Sequence, residues 1–124
     1  VRAARAFAVL NMAEHDAAVA CWDAKFAYVN ARPWQLDPAI KTKIGLPNFP
    51  AYPSGHSTFS AAAAVVLSYQ FPSGSAAFES MRDEAGISRL YGAIHYRSDI
   101  EEGKAHGATI GGYTVAFARK DGAD

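Results

Sequence analysis

The chain has 124 residues, enough for one domain, and half of them are hydrophobic while 19 % are charged. That balance excludes a disordered tail, which would carry fewer apolar residues and more charge. Twelve Lys plus Arg offset twelve Asp plus Glu, which argues against a basic nucleic-acid binder, a polybasic membrane-surface protein and an acidic tail.

The chain starts at Val1, and Arg2 and Arg5 lead into a stretch with Glu14 and Asp16, a poor signal-peptide core. The missing Met and abrupt start predict a piece of something longer. From about Arg2 to Tyr28 the sequence is Ala-rich, free of Gly and Pro, and apolar almost all round, which predicts a helix buried on several sides. It should stop near Asn30, because Pro33 disfavours the α conformation at Arg32. Within it, Cys21 is the single cysteine, so an intrachain disulfide framework and a Cys-rich zinc site are excluded and the residue reads as a buried small hydrophobe.

Between Arg32 and Pro53, five prolines and one glycine predict a long ordered loop, a feature often tied to function. Ser57 to Phe71 is apolar enough to be a central helix, which Pro72 should end. A third helix is expected over Ser75 to Ala85, with Gly86 as its stop. The fourth should begin at Ser98, where Ser98 and Glu101 have capping-box spacing, and run to about Ala118. Gly103, Gly107 and Gly111 share one face of it, which predicts another helix packed very close.

The uncharged run from Ile44 to Phe78 is divided by Pro47, Pro50, Pro53 and Pro72, so no span of about 20 apolar residues survives. No convincing alternating strand appears. The expectation is an all-α, soluble chain, one domain over residues 1–124, built as a bundle of about four helices. Its compartment stays open, secreted and periplasmic locations being compatible.

Three local features carry candidate chemistry. Lys25 precedes Arg32 by seven residues, nearly two helical turns, so both cations should leave one side of the first helix near its end. Two solvated charges are the ordinary alternative. Pro53-Ser54-Gly55-His56 stands before the apolar second helix. Ser54 suits an N-cap, Gly55 lets the backbone approach a ligand, and the free N–H groups of a first turn favour an anion. His56 would sit at that mouth with a proton to exchange near neutral pH. The plain alternative is a capped helix with an incidental histidine. Finally, Ser88-Arg89, His95 and Asp99 follow. An Asp four residues after a His can accept its Nδ1–H and leave Nε2 electron-rich. An Arg89–Asp99 ion pair beside a satisfied core histidine is the structural alternative.

Taken together, Lys25-x6-Arg32-Pro33, Pro53-Ser54-Gly55-His56 and Ser88-Arg89-x5-His95-x3-Asp99 resemble the three-part signature of the type 2 phosphatidic acid phosphatases and vanadium haloperoxidases. Every signature position is filled. The segments Asp23-Ala24-Lys25-Phe26, Phe49-Pro50-Ala51-Tyr52 and Ala118-Arg119-Lys120-Asp121-Gly122 look like the soluble bacterial haloperoxidase-type branch. The resemblance implies the core of the acid phosphatase/haloperoxidase fold, truncated or completed by a homo-oligomer or by missing N-terminal helices.

It also implies roles. Lys25, Arg32 and Arg89 would surround a small oxyanion, with Ser54 and Gly55 adding hydrogen bonds. In a haloperoxidase, vanadate would sit there with His95 as the vanadium ligand and His56 handling protons while peroxide oxidises halide. In a phosphatase, His95 would attack phosphorus, Asp99 would orient it and His56 would protonate the leaving oxygen. Phosphate and vanadate would share one cradle. A non-catalytic fragment or binding module is the third reading. Small molecules, not nucleic acid or a membrane span, are the expected partners. Trp22, Trp34, Phe49 and Tyr52 read as packing, although Trp34 and Phe49 lie on the loop that should border the pocket, and His15 has no partner pattern. His106, eleven residues after His95, would make a second metal site only if one helix carried both.

Overall fold

The computed structural model describes residues 2–122, in which four long α-helices and one short one occur and no strand is present. They are α1 (Arg2–Tyr28), α2 (Pro33–Leu36), α3 (Gly55–Gln70), α4 (Ser75–Tyr91) and α5 (Arg97–Ala118), with a 3-10 turn over Pro72–Gly74. The all-α expectation holds. No described helix is long and apolar enough to cross a membrane.

α1 buries Val9, Ala13, Ala17, Cys21 and Lys25, one residue every fourth position. Four are small or modest apolar residues, so neighbouring helices can come close, and the fifth ends the stripe with a charge. α3 lies at the centre and packs against α1, α4 and α5. Its buried residues are mostly Ala, Ser, Thr and Gly, which makes its surface shallow enough for the close approach of all three neighbours. The upper core joins Val9, Ala13 and Ala17 of α1 with Ala62 and Val66 of α3 and Val115 and Ala118 of α5.

The α3–α5 contact is made through glycine, as the sequence predicts. A Cβ on Gly103 would stand 2.8 Å from the Ser54 carbonyl oxygen, and one on Gly111 would stand 2.8 Å from that of Ala62. A Cβ on Gly107 would run into the Thr58 carbonyl. Each is backbone, which has no rotamer to retreat into.

Several boundaries differ from the sequence expectation. α3 starts at Gly55, not Ser57, because Ser54 is its N-cap and its Oγ accepts from the Ser57 N–H at 3.4 Å. α4 does not stop at Gly86 but runs to Tyr91. Gly86 keeps helical geometry and is needed for packing, since a Cβ there would stand 3.0 Å from Ile100 and 3.3 Å from Ser57. Nor is Ser98 the cap of α5. The helix begins at Arg97, and Asp99 does the capping by accepting the Tyr96 N–H at 3.1 Å. Arg32 does not leave α1 at all, because α1 ends at Tyr28 and Arg32 opens α2.

Val29 (φ 50°) and Ala93 (φ 57°) occupy the left-handed region that non-glycine residues rarely adopt. The first turns the chain out of α1 towards Arg32, and the second turns it out of α4 towards His95. On α1, Met12, Val19 and Phe26 recur every seventh residue and are 42 %, 59 % and 62 % exposed, an apolar stripe on the side away from the bundle.

Two α5 glycines separate packing from propensity. Gly107→Ala should lower stability by about 3 kcal/mol or more through overpacking against backbone. Gly112→Ala, where a Cβ meets nothing within 4 Å, should raise it by about 0.5–1 kcal/mol. Urea unfolding of the two variants checks this, and equal effects would contradict the packing account.

Candidate functional site

The site is built where the end of α1, the loop before α3 and the start of α5 meet. Ser54 ties two of these together, its N–H donating to the Asp99 carbonyl at 2.9 Å. The first turns of α3 and α5 are therefore neighbours, and both helices point their positive ends at the same region.

Lys25 is fully buried. Its Nζ donates to the carbonyls of Pro50 (2.9 Å), Ala51 (3.0 Å) and Pro53 (2.6 Å), which uses all three of its protons. Arg32 is buried as well. Its Nε and one terminal nitrogen each reach the Phe49 carbonyl at 3.1 Å, and its other terminal nitrogen donates to the Ile94 carbonyl at 2.7 Å. That same nitrogen lies 3.0 Å from His95 Nε2. The loop over residues 49–53 is thus strapped down by two buried cations.

The contacts of His95 assign its tautomer. A guanidinium can only donate, so Nε2 must accept from Arg32 and the ring proton must sit on Nδ1. Nδ1–H then donates to Asp99 Oδ2 at 2.9 Å. Burial is the main force lowering the His95 pKa below its usual 6.5, with Arg32 and Lys25 adding to it and Asp99 opposing. The imidazole is therefore neutral at pH 7, with its Nε2 lone pair directed at a cation. The Arg89–Asp99 ion pair considered from the sequence is not made, since the Asp99 carboxylate holds His95 and Tyr96.

Charge does not balance inside this cluster. Lys25, Arg32 and Asp99 are all buried, giving two cations against one carboxylate. An uncompensated buried charge is costly, and a small anion would relieve it. Burial accordingly pulls the Lys25 pKa down to about 8, and it lowers that of Arg32 too, against the pull of Asp99.

His56 and Arg89 adjoin the cluster without a hydrogen bond into it. His56 is the second residue of α3 and is exposed. Partial desolvation of its ring, and then the charge of Arg89, push its pKa below the usual value. Arg89, in the last turn of α4, is half-buried and uses its Nε on Ser88 Oγ at 3.0 Å, while its carbonyl accepts from the Ile94 N–H at 3.3 Å. Gly55 is buried, yet a Cβ there would meet Trp22 at 3.6 Å, an ordinary contact. Internal packing therefore does not demand glycine at that position.

Three aromatic residues read as packing from the sequence border the cations, Trp34 lying 5.9 Å from the Arg32 guanidinium. Trp22 and Phe49 pack at 5.1 Å. Lys25 Nζ lies 5.8 Å from the first ring and 5.2 Å from the second, and Arg32 lies 5.2 Å from the second. Their π faces favour the charges and keep water from them. Trp22 sits three residues before Lys25, a helical spacing that offers a signal; Phe49 reaches the site only through the fold of its loop. His106 lies within α5 while His95 precedes it, and among the described residues no group of three His, Cys, Asp or Glu is arranged to hold a metal ion.

A family model described as the PAP2 superfamily matches residues 6–123. The structure is similar to that of a bacterial vanadium-dependent iodoperoxidase, with a TM-score of 0.85 and 34 % identity over 93 % of this chain and 33 % of that one. It is also similar to a transmembrane PAP2-type phosphatidylglycerolphosphate phosphatase from Bacillus subtilis, with a TM-score of 0.68 and 21 % identity over 92 % of this chain and 59 % of that one. The chain therefore spans a third of the first relative's length and under two thirds of the second's. No curated protein sequence matches it significantly.

The buried positive excess makes a prediction about anions. Lys25 is cationic below about pH 8 and neutral above it, so binding of inorganic phosphate should weaken as pH rises through that value. Lys25→Met should lower affinity about tenfold or more and flatten the profile near pH 8. Calorimetric titration between pH 6.5 and 9.5 reads both effects; a profile unchanged in the variant would contradict the role given to Lys25.

Proposed function

The chain belongs to the PAP2 superfamily, and on that premise we propose that its buried cluster is the oxyanion pocket of a vanadate-dependent haloperoxidase-like enzyme. The reaction is oxidation of a halide by hydrogen peroxide. The observation that carries this reading is the state of His95. Asp99 holds Nδ1–H at 2.9 Å, which makes Nε2 the ring's donor atom, as in a metal-ligating imidazole; without an anion its lone pair accepts from Arg32 at 3.0 Å. The higher identity to the iodoperoxidase, 34 % against 21 % for the phosphatase, favours this chemistry over ester hydrolysis.

Vanadate fits the residues present, because a multiply charged oxyanion would offset the buried excess of Lys25 and Arg32 over Asp99. Bound, it would supply a Lewis-acidic centre that activates peroxide. In this reading His95 Nε2 would hold the vanadium, with Asp99 orienting the ring and fixing its tautomer. Lys25, Arg32 and Arg89 would bind the anion's oxygens, Lys25 and Arg32 giving up backbone carbonyls and Arg89 the Ser88 hydroxyl. The Ser54 hydroxyl and Gly55 N–H complete the cradle at the positive end of α3. His56, its pKa held below the usual imidazole value, would accept a proton from peroxide and return one to the departing oxygen.

The same lone pair also suits a nucleophile, so phosphomonoester hydrolysis is the second reading. There the His95 Nε2–phosphorus bond would form as the ester P–O bond breaks, and His56 would protonate the leaving oxygen. A third reading, a module that binds the anion without catalysis, keeps the cradle and drops the proton transfers. The outward stripe of Met12, Val19 and Phe26 supports cover by a second copy or by further helices. A monomer in light scattering that binds no hydrophobic dye would remove that support.

One purified sample decides the activity. With vanadate, peroxide and iodide or bromide, halide oxidation should appear, and 4-nitrophenyl phosphate should remain intact. Chelation of vanadate and His95→Ala should each abolish turnover, while His56→Ala should lower kcat by about 10²–10⁴. Ester hydrolysis without halide oxidation selects the second reading, and anion binding with neither activity selects the third.

A further inference from the structure

A cavity of about 470 Å³ lies between α1 and α5, bordered also by Tyr52 and Pro53, and none of the roles above uses it. Its size is in the range of small-molecule pockets. Ala24 and Ala27 of α1 and Ala105 of α5 lie in its wall, and such short side chains leave the space between the helices open. Pro53 separates it from the oxyanion cluster, since its carbonyl accepts Lys25 Nζ at 2.6 Å.

The lining is negative where the cluster is positive. Asp23 contributes from α1 and Glu102 from α5, and no Lys or Arg lines the cavity. Among the described residues neither carboxylate forms an ion pair. Lys104, two positions after Glu102, is engaged instead by Asp83 and Glu101. Tyr28 and Tyr52 meet in the same wall at 5.2 Å with their planes 85° apart, a corner of ring faces that attracts positive charge. Partial desolvation, and then the charge of Glu102, raises the Tyr52 pKa, so its phenol stays protonated at pH 7. One helical turn from Glu102, His106 completes the lining, and its Nε2 is buried with no hydrogen-bond partner. Such an atom is costly unless something fills its bond.

These features select a ligand class. A bare metal ion is disfavoured, because among the described residues no three His, Cys, Asp or Glu side chains are arranged to hold one. An anion would meet two carboxylates, and a neutral apolar molecule would leave them and His106 Nε2 unused. A cation carried on a hydrocarbon frame uses all of them.

We propose that this cavity binds a small organic ammonium ion. Asp23 and Glu102 supply the counter-charge, the Tyr28–Tyr52 corner packs against the hydrocarbon and the charge, and His106 Nε2 accepts an ammonium N–H. The site stands apart from the haloperoxidase reading, and its test needs no turnover.

Phenethylammonium chloride titrated calorimetrically into the 124-residue chain at pH 7 and low salt should show saturable binding. The alcohol 2-phenylethanol, which has the same ring and no charge, should bind at least tenfold more weakly. Asp23→Asn with Glu102→Gln, and separately Tyr28→Ala, should each weaken ammonium binding about tenfold. All three side chains are exposed, so their replacement leaves the packing of the bundle intact, which circular dichroism checks. Glu101→Gln, a neighbouring carboxylate outside the cavity, should leave binding unchanged. Absence of saturable binding, equal binding of the alcohol, or binding that survives the double charge substitution overturns the proposal. A saturable site for zinc ion alone, with none for phenethylammonium, overturns it in favour of a metal.

Discussion

The near-contact of α3 with α5 is the constraint from which the rest of the molecule follows. Gly103, Gly107 and Gly111 let the α5 backbone approach the carbonyls of Ser54, Thr58 and Ala62 more closely than any side chain would permit. That approach sets the register of the two helices. It brings the Ser54 N–H within 2.9 Å of the Asp99 carbonyl, and so places the start of α3 beside the start of α5. Two helix N-termini converge, and a region of positive potential arises before any lysine or arginine is counted.

Around that junction the charged residues are arranged by burial more than by pairing. Lys25 and Arg32 are held mainly by backbone carbonyls, which satisfy all three Lys25 protons while leaving the positive charge without a full counter-ion. Asp99 serves three partners at once. Its carbonyl anchors Ser54, its carboxylate caps α5 at Tyr96, and the same carboxylate fixes the tautomer of His95. One residue thus links helix start, helix packing and imidazole chemistry. The left-handed residues Val29 and Ala93 stand at the two turns that deliver Arg32 and His95, where backbone strain of about 1–3 kcal/mol per residue is held by the surrounding packing.

The zero net charge of the chain takes on a different meaning in this setting. Glu14, Asp16, Glu79, Asp83 and Glu101 are exposed, whereas Lys25 and Arg32 are drawn inside. Overall neutrality coexists with a local positive excess at one point, which suits a small anion and not a long polyanion. The Trp22–Phe49 pair lies against that point, with the Phe49 ring 5.2 Å from both Lys25 Nζ and the Arg32 guanidinium.

Much of this was legible in the sequence. The apolar runs and prolines marked the long helices, the spacing of three glycines announced the close approach, and His95 with Asp99 four residues later predicted the carboxylate–imidazole pair. These are local signals, since each depends on helical periodicity or on what one residue permits its own backbone. The end of α4 was not legible, because Gly86 resembles a helix stop and only the proximity of Ile100 and Ser57 explains a glycine inside the helix. Nor was the cap of α5, where Asp99 replaced Ser98 once the turn at Ala93 had positioned the chain. Tertiary structure alone decided that Arg32 meets His95, that Phe49 and Trp22 cover Lys25, and that both cations are strapped to the loop over residues 49–53. Those contacts join segments distant in the chain, and the energy that selects them, burial of charge against backbone carbonyls, belongs to the assembled interior and to no single stretch of sequence.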